Sequence, residues 1–208
     1  VALGTAQLGC IDATLRDTLV SRSFVPRGEQ GLQTAVNAYL VNDGRQLTLV
    51  DAGTARCFGP GLGQVPAHLR AAGYRPEQVD NVLLTHAHPD HLCGIADRNG
   101  RAVYPNATVW LARADADAWL APGAENRPGT PDAVKPLFAM ARKAVAPYQA
   151  SRRLRLFDPD DTLPAGVLAL STPGHTPGHT AWLFNPADKA GVDGKGGRDA
   201  NALLVWGD

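Results

Sequence analysis

No apolar run in the sequence approaches the roughly 20 residues that a helix needs to cross a bilayer. The opening stretch VALGTAQLGCIDATL also lacks the basic-then-apolar order of a signal peptide. The sequence therefore reads as that of a soluble protein with no membrane partner. Net charge is missing too: 20 Lys and Arg balance 20 Asp and Glu, and with no basic run there is nothing to draw in nucleic acid. Cysteine is scarce. Cys10, Cys57 and Cys93 are too few and too irregular for a disulfide framework, allow at most one bridge and form no CxxC pair. There is no G-x-S-x-G elbow, no G-x-x-x-x-G-K-[ST] loop and no G-x-G-x-x-G at a strand–helix turn, which argues against a serine nucleophile, a phosphate-binding loop and a dinucleotide site. The first residue is Val rather than Met, so the chain reads as processed or trimmed. The compartment stays open, with a periplasmic or secreted protein that has lost its signal peptide as one reading.

At 208 residues the chain is long enough for one domain with a sizeable core, and residues 1–208 are read as that single domain. Short β-type runs recur at residues 35–41, 46–50, 81–85, 107–112, 166–170, 180–184 and 202–206, each bounded by turn formers. Helical patterns lie between them at Leu62 to Ala72, Ala112 to Leu120 and Pro131 to Val145. Interleaving of this kind predicts a layered α/β domain whose site sits in loops leaving the strand ends. Gly and Pro, 22 and 16 residues, suit long working loops. The stretch NPADKAGVDGKGGRDAN (185–201) reads as an exposed hairpin loop, its aspartates fitting no calcium-loop spacing.

Histidine carries the main signal. Five of the six fall in THAHPDH (85–91) and TPGHTPGHT (172–180), and the sixth, His68, lies in an amphipathic helical pattern. Imidazole and carboxylate are good ligands for zinc and similar ions, and NVLLT supplies a buried strand from which a ligand loop can be held rigidly. His86 and His88, two apart in extended backbone, project to one side and can grip one ion. Asp90 and His91 follow a proline that turns them toward a neighbouring position, so two adjacent metal sites are suggested.

THAHPDH with TPGHTPGHT, and an aspartate closing the strand LLVWGD, resembles the metallo-β-lactamase superfamily of metal-dependent hydrolases. The resemblance implies an αββα sandwich holding two divalent ions, zinc above all. It implies His86, His88 and His175 on one ion, Asp90 and His91 on the other, and Asp208 bridging both. It places Asp51 of VDAGT, and His179, as supports behind the ligands. A hydroxide held between the ions would cleave an ester-like bond, with Asp90 and Asp208 as the catalytic carboxylates and Asp90 relaying a proton to the leaving group.

The aspartate at 208 separates the chain from β-lactamases that carry cysteine there. Cys93 stands where many members have the first of two glycines, and reads as a small buried thiol packed near the site. The superfamily continues past the bridging aspartate to a last histidine ligand, so the expectation is of a chain truncated on its C-terminal side.

Within the superfamily, FGPGLGQVPAHLRAAGYRPEQVDNVLLTHAHPDH and YPNATVWLARADADAWL are most similar to the branch of methyl parathion hydrolase and quorum-quenching lactonases. That branch implies a homodimer, a small-molecule substrate (a phosphotriester or a lactone) and a leaving-group pocket with Phe58, Trp119 and Phe138 in it. Other readings within the fold are a thioesterase, a β-lactamase and a non-catalytic metal-binding member, among which fold cannot choose.

Overall fold

The structure is a computed structural model and describes residues 2–3, 12–22, 27–28, 31–33, 35–184 and 202–208. The proposed loop at 185–201 lies outside the described residues. Chain contacts divide the protein into two compact units, Val1–Asn37 and Ala38–Asp208. The first contains strands β1 (Ala2–Leu3), β2 (Arg27–Gly28) and β3 (Gly31–Gln33), paired antiparallel in the order β1-β3-β2, and helix α1 (Ala13–Arg22). Asp12 caps α1: its Oδ1 accepts the amides of Thr14 at 2.9 Å and Leu15 at 3.0 Å.

The second unit holds two sheets. The larger has the order β4 (Tyr39–Asn42), β5 (Leu47–Val50), β6 (Asn81–Leu83), β7 (Thr108–Ala112), β8 (Leu154–Phe157); β4 pairs antiparallel and the rest are parallel. Helices α2 (Val65–Ala71), α3 (Pro89–Leu92), α4 (Arg113–Trp119) and α5 (Lys135–Ala150) connect them. The smaller sheet is antiparallel, with β10 (Thr180–Phe184) between β9 (Val167–Ser171) and β11 (Leu203–Val205).

The period-two alternation of a strand explains the layering. Leu49, Val82, Val109 and Leu111 face one way into a core completed by Leu92, Ala141, Val145 and Tyr148 from the helices. Val50, Leu83 and Phe157 face the other way and meet Val167, Trp182, Phe184 and Val205 of the smaller sheet. A large sheet covered on both faces requires nearly continuous apolar strands, as in LTLV and NVLL. Trp182, fully buried, donates its indole N–H to the Leu84 carbonyl at 3.2 Å and so ties the second sheet to the strand leading into THAHPDH.

Several elements differ from the sequence expectation: β1, β2, β3 and α1 precede the first expected run at residue 35, and three differences in the second unit have physical reasons. β8 is not among the expected strands, because Arg153 precedes its apolar residues and Arg155 interrupts them; it is an edge strand, with Arg155 exposed. α5 starts at Lys135 rather than Pro131, since residues 132–134 form turns and Pro136 fits the first helical turn. It runs on to Ala150 through Pro147, held by the packing of Tyr148. Pro89 bends the chain as expected, but does so by opening the one-turn helix α3.

Candidate metal centre

The site lies at the carboxyl ends of β5, β6 and β7, where a parallel sheet leaves its loops free to converge. THAHPDH leaves β6 and is held from both sides. On one side the Ala52 amide donates to the His91 carbonyl at 2.8 Å and the Gly94 amide to the Gly53 carbonyl at 2.9 Å. A side chain at Gly94 would collide with the Ala52 carbonyl, which explains why glycine stands there. On the other side the Thr180 amide donates to the Thr85 carbonyl at 2.8 Å, bringing in the TPGHTPGHT loop between β9 and β10.

Three ring nitrogens converge. His86 Nε2 lies 3.0 Å from His88 Nδ1, and His175 Nε2 lies 2.9 Å from the same atom. His86, His91 and Asp208 form a second group close enough to share an ion. His91 Nε2 stands 3.3 Å from Asp208 and 3.7 Å from Asp90, and His175 Nε2 stands 3.8 Å from the other Asp208 oxygen. The structure thus brings together His86, His88, Asp90, His91, His175 and Asp208.

The hydrogen bonds behind the converging rings set the order in which protons are given and accepted. Asp51, whose carboxylate only accepts, takes the Thr85 amide at 2.8 Å, the Thr85 hydroxyl at 2.8 Å and His91 Nδ1 at 2.8 Å. Having given its proton to Asp51, the Thr85 oxygen accepts from His86 Nδ1–H at 3.0 Å. His86 therefore keeps a lone pair on Nε2, the atom aimed at His88 and His175. Asp51 reaches its partners from a left-handed backbone conformation (φ 55°), which short polar side chains tolerate. His179 supports the other end: its Nδ1 bonds the Thr172 hydroxyl at 2.8 Å, and its Nε2 accepts the Asp208 amide at 3.2 Å. Gly207 is needed for this contact, as a Cβ there would lie 2.6 Å from His179 Nε2.

The electrostatics suit cations. Burial, reinforced by the neighbouring imidazoles, drives His86 far below its ordinary value and His88 down to about 4, so both rings are neutral and ready to ligate. Burial and His175 lower His179 as well. Burial pulls His91 down, yet hydrogen bonds to Asp208 and Asp51 and the charge of Asp90 outweigh it and raise His91 to about 10. The same bond from His91 holds Asp208 below the usual carboxylate range. In one half of the site three imidazole nitrogens converge, and in the other three carboxylates surround a single imidazole. Imidazole with carboxylate at this spacing is the donor set of zinc and related divalent ions, so the residues present fit a divalent metal centre.

Sequence reasoning missed two features. Asp115, in the first turn of α4, is fully buried and accepts the Ala87 amide and the Gly178 amide, each at 2.7 Å. An acidic residue just after a strand in ARADADAW was the available signal, but backbone partners leave no spacing pattern. The other is a disulfide between Cys57 and Cys93. It corrects the expectation of a free buried thiol at position 93: the fold sets Cys93, right after α3, against the 54–58 turn, and the two thiols are within bonding reach.

Among the aromatic residues, the Trp119 ring meets His88 edge-on at 4.5 Å and stacks on Phe138 at 4.4 Å. Phe138 is buried beneath it, and Phe58 is exposed beside Cys57.

The model of the metallo-beta-lactamase superfamily matches residues 31–185. The crystal structure of the hydrolase AbOPH, of the beta lactamase superfamily, is 35% identical with a TM-score of 0.79, over 95% of this chain and 64% of that one. AidC, described as a dizinc quorum-quenching lactonase, shares the fold at 22% identity and a TM-score of 0.74, over 93% of this chain and 62% of its own. "Probable metallo-hydrolase Rv2300c" of Mycobacterium tuberculosis is 29% identical over 174 residues, 73% of this chain and 53% of the relative. The chain thus spans about half the length of the curated relatives it matches. With three-quarters of its residues inside the matched region and the two histidine motifs brought together, the chain belongs to the metallo-beta-lactamase superfamily.

Proposed function

We propose that the protein is a dinuclear metal-dependent hydrolase acting on an ester-like bond of a small molecule, a phosphotriester or a lactone. The observation that carries this reading is the convergence of His86 Nε2, His88 Nδ1 and His175 Nε2 beside the His91–Asp208 pair. His86, His88 and His175 would hold one ion, and Asp90, His91 and Asp208 the other, with Asp208 within reach of both groups. Two divalent ions, zinc in the simplest case, supply Lewis-acid activation of water and offset charge developing on the substrate oxygen. The protein's own groups do the rest. Asp51 and His179 fix His91 and Asp208 in place. Asp90, with 32% of its side chain exposed, accepts a proton and passes it to the departing oxygen. Trp119, backed by Phe138, offers an apolar wall next to His88, and Phe58 completes the leaving-group pocket. The similarity to a hydrolase and to a dizinc lactonase supports the same reaction class.

The disulfide favours an oxidising compartment, periplasmic or extracellular. No helix among the described residues is long and apolar enough to cross a membrane. The resemblance to the methyl parathion hydrolase branch favours a homodimer, which sedimentation of the purified protein tests.

The function is tested by assaying the zinc-loaded protein on an aryl phosphotriester and on acyl-homoserine lactones. Turnover of one, lost in His86→Ala, is the expected result; turnover of neither removes both substrate classes. About one equivalent of zinc with no activity on any ester would replace the enzyme with a metal-binding member of the fold.

A further inference from the structure

We infer that Asp115 is a positioning residue that sets the distance between the two histidine loops and so creates the three-nitrogen metal site; this rests on the metal-binding reading above. Ala87 stands between His86 and His88, and Gly178 stands three residues beyond His175 and next to His179. The two segments are remote in sequence, and one carboxylate takes the amide of each, Oδ2 from Ala87 and Oδ1 from Gly178. Charge-assisted bonds this short restrain both loops more strongly than neutral ones.

Three observations fit positioning rather than general packing. The carboxylate is fully buried, yet among the described residues no lysine or arginine forms an ion pair with it. Its two oxygens are used on backbone amides alone, so the side chain is a spacer between main chains. Gly178 has no room for a side chain: a Cβ there would collide with the Asp115 amide and lie 2.9 Å from its Cβ and 3.0 Å from Oδ1. Residue 178 is glycine so that the His175 loop can come down onto Asp115. At that separation His175 Nε2 reaches His88 Nδ1 at 2.9 Å. Zinc–imidazole bonds of about 2.0–2.1 Å set the spacing that ligand nitrogens must keep, so the separation of the two loops has to be held closely.

Asp115→Asn keeps the volume but turns one acceptor into an NH2 that faces an amide donor. The test uses the whole protein. Zinc affinity is measured by chelator competition, and the visible ligand-field spectrum is recorded after cobalt(II) loading. Thermal melting of the metal-free form follows separately, with Asp117→Asn, an exposed change on the same helix, as control. The expected result is a 10- to 100-fold loss of zinc affinity with an altered cobalt spectrum in Asp115→Asn, and no change in Asp117→Asn. A lowered melting temperature with wild-type affinity and spectrum would make Asp115 merely structural and overturn the inference. Gly178→Ala, which pushes the loop off Asp115 and leaves every charge in place, is read in parallel. It decides the matter if Asp115→Asn does not fold: unchanged affinity there overturns the inference equally. A wild-type protein that binds no zinc would refute the metal reading itself, a distinguishable outcome.

Discussion

Replacing Asp51 by Asn is expected to disable metal binding without unfolding the protein, because it reverses a chain of protons. Asn accepts the same left-handed backbone and keeps one oxygen for the Thr85 amide. Its NH2, however, stands where Oδ2 now accepts from both the Thr85 hydroxyl and His91 Nδ1. Facing a donor, the Thr85 hydroxyl turns and gives its proton to His86 Nδ1, 3.0 Å away. His86 must then carry its proton on Nε2, which blocks the nitrogen aimed at His88, and His91 loses its carboxylate partner on Nδ1. Loss of a group behind a ligand costs about 10- to 100-fold in metal affinity. That is about 1.4–2.7 kcal/mol per ion, and here two ligands are affected by one substitution. Chelator competition for both zinc equivalents reads the loss, and long-range proton–nitrogen NMR of the metal-free protein reads the His86 tautomer. Wild-type affinity with His86 still protonated on Nδ1 would refute the proton chain.

Two further outcomes follow from features outside the ligands. The Cys57–Cys93 bridge closes a loop with a sequence separation of 36, worth about 4 kcal/mol on the loop-entropy account. Reduction is therefore expected to lower the melting temperature of the wild type and to leave a Cys57→Ser/Cys93→Ser variant unmoved; equal behaviour of the two would mean that the bridge contributes nothing. Alkaline pH probes the helix-side core. Burial raises Tyr104, with Tyr148 adding to the shift, and burial raises Tyr148 to about 12. The folded state therefore keeps protons that the unfolded chain releases from about pH 10. Stability should fall between pH 10 and 12 by about 1.4 kcal/mol per pH unit for each buried tyrosine. Urea titrations across that window check it, and a slope unchanged in Tyr148→Phe would contradict the assignment.

The extent to which the molecule was legible in its sequence follows from where its physics leaves a local trace. Strands buried on both faces are apolar runs, so β5, β6, β7 and β10 stood out, whereas β8 hid behind Arg153 and Arg155 at a sheet edge. Rare side chains clustered at short spacing leave a local trace, and the two histidine motifs were visible for that reason. Asp115 bonds only main chain, and any acidic residue early in a helix has the same appearance. Cys57 and Cys93 are neighbours only because the amides of Ala52 and Gly94 bring their segments together, a tertiary fact that spacing cannot express. Phe58, Trp119 and Phe138 show the opposite problem. Aromatic residues serve core and pocket alike, and the stacked pair next to His88 differs from the exposed Phe58 only once the backbone is in place.

The central claim is that the two side-chain groups hold two ions. Anomalous diffraction at the zinc edge from zinc-soaked crystals tests it most directly. Two peaks a few ångströms apart are predicted, one among His86, His88 and His175 and one against Asp90, His91 and Asp208. A map with no peak among those three imidazoles at full zinc occupancy elsewhere would contradict it.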